Sequence, residues 1–225
     1  SGVPVEEWSV EESSIFFWGL GQHLGRPGAQ NRKGDLLGHV RDTGADRHDR
    51  YVRQYLTTQN IPFHCDAADM VGLLCLRSAK SGGLSRIASS VSVYNELLRR
   101  RPDLAPRLFE PFMLDTRDEA AADGTAVLPV TPCRYDGRTL RTFWHSDYFR
   151  SSERHSGVHL TATEHELLDL YDEIAASPEY HVDMELEPGD VQLLSNHTVI
   201  HARTDYVDHP EEDRKRHLLR LWITF

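Results

Sequence analysis

The last quarter of the chain carries the pattern that most limits its fold. Apolar and acidic residues alternate through Val182-Asp183-Met184-Glu185-Leu186-Glu187, and Pro188-Gly189 supplies a turn. Residues 190–194 then run back as Asp-Val-Gln-Leu-Leu, and residues 217–225 form a final apolar strand. A period of two puts alternate side chains on opposite faces of a sheet, and a Pro-Gly pair marks a tight reversal. Strands with Gly/Pro turns of this kind suggest an antiparallel sheet core.

Further strands are expected near residues 36–40, over the apolar run 70–77, which leads into Ser81-Gly82-Gly83, and over 127–134 and 139–144. Helices are few. Ser9 to Glu12 fits a capping box, Phe16, Leu20 and Leu24 recur four apart, and Gly25 with Pro27 stops the pattern. A second helix starts at Ser90, with Val91, Tyr94, Leu97 and Leu98 on one face, and ends at Arg101-Pro102. Thr163-Glu164-His165-Glu166 reads as another capping box before the stripe Leu167, Leu170, Tyr171 and Ile174. Residues 25–60 read as a largely irregular connection, and the acidic residues 115–125 as a mobile surface loop. With no regular βα alternation, the expectation is a mainly β domain with helices packed outside its sheets.

The length of 225 residues suits one domain over 1–225, with Ser1-Gly2 set apart as a tag remnant. Lys plus Arg number 25 against 35 Asp plus Glu, a formal net charge of −10. That balance argues against nucleic acid or an anionic membrane as partner. Three cysteines, Cys65, Cys75 and Cys133, form no disulfide framework, so a reducing cytoplasm is the expected setting. No targeting segment opens the sequence, and the apolar run 70–76 is too short to span a bilayer.

Thirteen histidines in an acidic chain raise the question of a metal. Residues two apart on a strand share a face, so His-x-Asp lets an imidazole and a carboxylate reach one ion. The pattern occurs at His64-Cys65-Asp66, His145-Ser146-Asp147 and His181-Val182-Asp183. In the last, alternation assigns His181 and Asp183 to a solvated face. In the second, neither parity is dry, which suits a polar edge or a substrate-facing segment. The first lies between Ile61-Pro62-Phe63 and the most apolar strand, so His64 and Asp66 begin a buried strand, where a carboxylate needs a partner such as a metal. The other histidines, including His23, His39, His48, His155, His159, His165 and His209, are assigned to the surface. A facial triad of two histidines and one carboxylate requires one more imidazole. Asn196-His197-Thr198-Val199-Ile200-His201-Ala202-Arg203 offers His197 and His201, which share parity, so alternation does not choose between them. Arg216 and Arg220 also share parity at the start of the last strand; an arginine aimed into a core needs an anion, and a guanidinium grips a carboxylate with two hydrogen bonds.

Four segments together are recognisable: Phe63-His64-Cys65-Asp66, Ala79-Lys80-Ser81-Gly82-Gly83-Leu84-Ser85, the segment from Asn196 to Thr204, and Arg216-His217-Leu218-Leu219-Arg220-Leu221-Trp222. In this order they resemble the taurine dioxygenase-like branch of the iron(II)/2-oxoglutarate oxygenases, over residues 16–225. The resemblance implies a double-stranded β-helix, or jelly roll, of the cupin-like kind. It implies iron held by His64, Asp66 and His201, with His197 bracing the strand or lining the pocket. It also implies Arg216 on the distal carboxylate of 2-oxoglutarate, helped by Ser85 where relatives carry threonine. Arg220 falls where relatives place an arginine near the cosubstrate or an acidic substrate group.

Three features depart from the family pattern. Cys65 replaces a small polar residue and is expected to face away from the metal, the portion before the first motif is short, and residues 134–160, where lid elements are expected, match no pattern. The implied enzyme uses iron(II), 2-oxoglutarate and dioxygen to hydroxylate, desaturate, cyclise or epoxidise a small organic substrate, releasing succinate and carbon dioxide. Asp66 speaks against halogenation, which needs a small residue there. The implied partners are a small molecule and neither nucleic acid nor membrane, with room for a homo-oligomer. Two other readings use the same residues: a cupin-like metalloprotein whose reaction needs no 2-oxoglutarate, and a non-catalytic binding module.

Overall fold

A computed structural model describes residues 2–31, 33–45, 54–117 and 125–225. The strands of its two larger sheets are β1 (Arg26–Pro27), β2 (Leu37–Val40), β3 (Ile61–His64), β4 (Met70–Arg77), β5 (Ser85–Ser89), β6 (His181–Met184), β7 (Val191–Ser195), β8 (Val199–Arg203) and β9 (His217–Thr224). The first sheet runs β9–β4–β7, with β1 and β2 both paired to β9; the second runs β6–β5–β8–β3. Every pairing in them is antiparallel. From β3 to β9 the chain changes sheet at every step except β5 to β6. The two sheets therefore wind around one lumen, the jelly roll expected from the sequence.

Strand periodicity decides what enters that lumen. On β9, Leu219, Leu221 and Ile223 pack outward with Phe17 of α1 (Val10–Leu24), whereas Leu218 and Trp222 join clusters on the other face. The second sheet turns Phe63, Ala88, Ile200 and Ala202 toward α2 (Ser90–Arg100) and α4 (Ala162–Ala176), against Val93, Leu97, Leu167, Tyr171 and Ile174. Each buried large apolar side chain contributes roughly 1.5–3 kcal/mol. Both sheets are thus fixed from outside by helices, which leaves polar side chains in the lumen to serve a site.

Several local expectations need correction. The buried face of α1 is Ser13, Phe17 and Gly21, one residue on from the stripe Phe16, Leu20, Leu24. The reason is Gly21: a Cβ there would meet Leu221 Cδ1 at 2.6 Å, so the missing side chain lets the helix sit on β9. The cap of α4 is Thr161 with Glu164, two residues before the expected Thr163. His181 is not on a solvated face: its side chain is 7% exposed, with Nδ1 3.1 Å from the Ala175 carbonyl, while Val182 is 58% exposed. Its face of the second sheet is the one covered by α4, and β6 is an edge strand whose opposite face lacks cover.

Two small hairpins, Phe112–Asp115 with Val127–Val130 and Cys133–Tyr135 with Leu140–Thr142, flank the lumen mouth. Residues 118–124 of the expected acidic loop, and His48, lie outside the described residues. Among the described residues no helix is long and apolar enough to cross a membrane.

Candidate active site

The register of the second sheet brings the first two site histidines together. His201 on β8 is the direct partner of His64 on β3, and directly opposed residues point to the same face. Their ring centroids are 4.3 Å apart. Asp66 follows in the turn from β3 to β4, and its Oδ2 lies 3.5 Å from His201 Nε2. Ligand atoms of His64, Asp66 and His201 all fall within 4.8 Å of one another, forming among the described residues a cluster able to hold a metal ion.

The donor chemistry of the cluster fits a divalent metal. His64 Nδ1 lies 2.9 Å from the Pro62 carbonyl, so the proton belongs on Nδ1 and Nε2 keeps its lone pair. Burial, with His64 alongside, pushes the His201 imidazole down to about 3, so it too is a neutral ligand at neutral pH. Its Nδ1 is buried without a hydrogen-bond partner. Asn196 fixes the carboxylate's turn: its Oδ1 accepts from Asp66 N–H at 3.1 Å and its Nδ2 donates to the Ala68 carbonyl at 3.0 Å. His197, the competing histidine, is held elsewhere, with Nε2 2.7 Å from Asp69 Oδ1. Cys65 packs into the helix-side cluster, as a regular strand requires, and burial pushes its thiol up to about 12.

A second corner of the lumen is built for an anion. Ser85, Arg203, Arg216 and Arg220 line a small cavity together with His64 and His201. Arg203 and Arg216 hold their guanidiniums 4.7 Å and 5.2 Å from the ring of Tyr206. Arg203 Nη2 donates to the carbonyls of Thr57 and Gln59, while Nη1 of both Arg203 and Arg216 is buried with no partner. Two buried guanidiniums side by side, each with an unsatisfied N–H, are costly, and a carboxylate between them offsets the cost. Beside it the Ser85 hydroxyl donates to Gln192 Oε1 at 3.0 Å. Gly83, at φ +73, makes the approach feasible, since a Cβ there would stand 3.1 Å from Arg216 Nε.

Arg220 joins the two corners. Its Nη1 lies 3.6 Å from Asp66 Oδ1, and its Nε donates to Gln30 Oε1 at 2.8 Å. Beyond it opens a cavity of about 390 Å³ whose lining includes His64, Asp66, Gln30, Tyr55, Arg117, His145, Tyr148 and Trp222. His145 opens α3 (Ser146–Ser151), and its ring lies 5.2 Å from that of His64 and stacks on Tyr148 at 3.7 Å. The segment left between polar edge and substrate-facing is therefore a cavity wall, though Asp147 turns to Gln54. His155, assigned to the surface, is 23% exposed and pairs with buried Asp115 because α3 packs on the Phe112–Asp115 hairpin. Sequence reasoning missed Asn196, Gln192 and Gln30, whose only signal is an uncharged polar residue beside a motif or on an apolar strand.

The taurine catabolism dioxygenase TauD, TfdA family matches residues 1–222. FR-33289 synthase of Streptomyces rubellomurinus is 36% identical over 99% of this chain and 67% of its own length. A taurine hydroxylase-like protein of Stachybotrys chartarum is 28% identical, over 93% of this chain and 56% of its own. Among solved structures, an asparagine oxygenase in complex with Fe(II), 2S,3S-3-hydroxyasparagine and succinate superposes with a TM-score of 0.73 at 18% identity, covering 93% of this chain and 63% of that one. The chain thus spans between about half and two thirds of the length of these proteins. With the family matched over nearly its whole length, the chain belongs to the TauD/TfdA family of iron(II)/2-oxoglutarate oxygenases.

Proposed function

We propose that this chain hydroxylates a small organic molecule as an iron(II)- and 2-oxoglutarate-dependent oxygenase, releasing succinate and carbon dioxide. The observation that carries the reading is the convergence of His64, Asp66 and His201 in a lumen that also holds Arg216, whose buried Nη1 has no partner. Two neutral imidazoles and one carboxylate are the donor set of a facial triad, which leaves coordination positions open. When bound, iron(II) and the keto acid supply the oxidising chemistry with dioxygen.

The chain's own residues do the positioning. His64 and His201 present lone pairs fixed by the β3–β8 register, and Asn196 keeps Asp66 turned toward them. Arg216, with Ser85 and Gln192 nearby, takes the distal carboxylate of the keto acid. Arg220 draws on Asp66 and so orients the carboxylate without leaving the cavity wall. Phe143, Tyr148 and Trp222 line the larger cavity and shed water from the place where substrate lies. Its volume, about 390 Å³, suits a small molecule.

The test is the visible charge-transfer band that forms when anaerobic iron(II) protein meets 2-oxoglutarate. We expect the band in the wild type and none in His64→Ala. A wild type without the band sinks the reading. Arg216→Ala separates it from a reaction that needs no keto acid: 2-oxoglutarate affinity should fall by about tenfold or more, as for a lost charged hydrogen-bond pair.

A further inference from the structure

The charge of the larger cavity runs against that of the chain. The chain carries −10, yet among the described residues Asp66 is the only carboxylate lining the cavity, while Arg117 and Arg220 are both there. Asp66 faces the two histidines, and Arg220 is engaged by Asp66 and Gln30. Arg117 makes no ion pair with any described residue. Its guanidinium lies 4.2 Å over the ring of Tyr148, which stacks on His145 at 3.7 Å, and His145 lies 5.2 Å from His64. A continuous aromatic wall thus leads from the histidine cluster to one cation.

The backbone holds that cation in place. Arg117 has φ +48, a left-handed conformation uncommon for a residue with a side chain, which persists only where surroundings fix it. Here buried Asp115 fixes it: Oδ1 accepts from the Arg117 N–H at 2.9 Å and meets His155 Nε2 at 3.0 Å, and Oδ2 is 2.8 Å from Arg154 Nε. Burial alone pushes the Asp115 carboxyl up, but the hydrogen bonds from Arg154, Arg117 and His155 outweigh it and hold it at about 2. The hairpin that carries Arg117 is thereby tied to the element that carries Tyr148 and His145.

We infer that Arg117 selects the substrate by receiving an anionic group, a carboxylate or an oxyanion of phosphorus or sulfur, while the rest of the molecule lies along Tyr148 and His145 toward the metal cluster. The inference rests on the oxygenase reading for where the oxidised carbon must sit. A guanidinium stacked on a ring keeps its N–H fork free at the edge, the geometry that grips such an anion with two hydrogen bonds.

The experiment titrates butyrate, 1-butanesulfonate and 1-butanephosphonate, with 1-butylamine as the cationic control, into anaerobic protein containing iron(II) and saturating 2-oxoglutarate. Arg216 is then occupied, and calorimetry reads binding in the cavity. At least one anion should bind about tenfold or more tightly than the amine, and the ranking of the three identifies the oxyanion. Arg117→Gln should remove about tenfold or more of that affinity, and Arg117→Lys, which keeps the charge, should lose less. Equal affinity for anion and amine, no anion binding at millimolar probe, or an anion affinity unchanged in Arg117→Gln overturns the inference. The charge-transfer band in the same wild-type sample reports separately on the oxygenase reading, so the two can fail independently.

Discussion

Two histidine pairs lie on different sheets, His64 and His201 on β3 and β8 and His39 and His217 on β2 and β9, and only the first suits a metal. Inside, His64, Asp66 and His201 each bring one ligand atom within 4.8 Å of the others. Outside, His39 Nδ1 sits 2.8 Å from His217 Nε2, and His217 Nδ1 lies 3.3 Å from Arg77 Nη2. In the outer pair the imidazoles meet each other and a guanidinium takes a third nitrogen, and among the described residues neither ring pairs with a carboxylate. Closeness of imidazoles is thus a poor sign of a metal site. A carboxylate within reach of the rings is a better one.

The comparison breaks if the outer pair matters for chemistry. His201→Ala should abolish the charge-transfer band and lower succinate formation by more than about 100-fold, since even outer-shell partners of a metal cost 10–100-fold. His39→Ala should leave both within about twofold, because its lost partner is another imidazole with no role at the metal. Anaerobic spectra and succinate assays on the two variants measure the contrast. Equal losses would show that the outer pair is coupled to the site.

One strand makes such coupling worth testing, because β2 carries His39 and also pairs with Arg220, the neighbour of Asp66. Gly38 is paired with Arg220, and its neighbour His39 with Leu219. A Cβ on Gly38 would stand 2.6 Å from Gln30 Oε1, the atom that accepts from Arg220 Nε. Gln30 cannot easily yield, since its Nε2 donates to the carbonyls of Leu36 at 3.1 Å and Arg220 at 2.7 Å. Gly38→Ala should therefore cost about 1–3 kcal/mol of stability by overpacking, read from denaturant midpoints. It should also weaken the band, as Arg220 loses the partner that holds it near Asp66. An unchanged band would mean Arg220 is held by its contacts to Tyr55 and Trp222 alone.

How far this was legible from the sequence depends on what each signal could carry. Strands β4 and β9 were readable because both faces of each are dry or nearly so, which leaves long apolar runs. His64 and Asp66 were readable because the run beside them announced burial. Parity treats His201 and His197 alike, so the preference for His201 comes from the order of motifs; the partner that holds His197, Asp69, lies 128 residues away. The face of α1 was misread by one residue because a glycine, which adds nothing to an apolar stripe, sets where the helix docks. His181 was misread because alternation tells which residues share a face but not which face a helix will cover. Arg117 was invisible: its weight comes from a left-handed backbone and a buried aspartate, and neither leaves a mark in composition or period.

A further effect is expected in the pH dependence of stability, and the outer pair shares it with His201. Burial, then His39 and Arg77 alongside, pushes buried His217 down to about 3, and burial with Arg41 nearby also lowers His39, against the pull of Asp35. In the unfolded chain both imidazoles take up protons below their ordinary value of about 6.5. The folded His217 does not until near pH 3, so the unfolded state binds more protons across that window and stability falls as pH drops from about 6.5 toward 3. The slope is at most about 1.4 kcal/mol per pH unit for each imidazole. His201, also pushed down to about 3, adds a slope of the same sign in metal-free protein. Bound metal opposes protonation of His201 but leaves His217 unaffected. Thermal midpoints of the metal-free protein between pH 7.5 and 5 should therefore fall with acid, and His217→Gln should flatten the curve without touching the band at pH 7.5. A curve as steep in His217→Gln as in the wild type would assign the whole acid sensitivity to the inner pair.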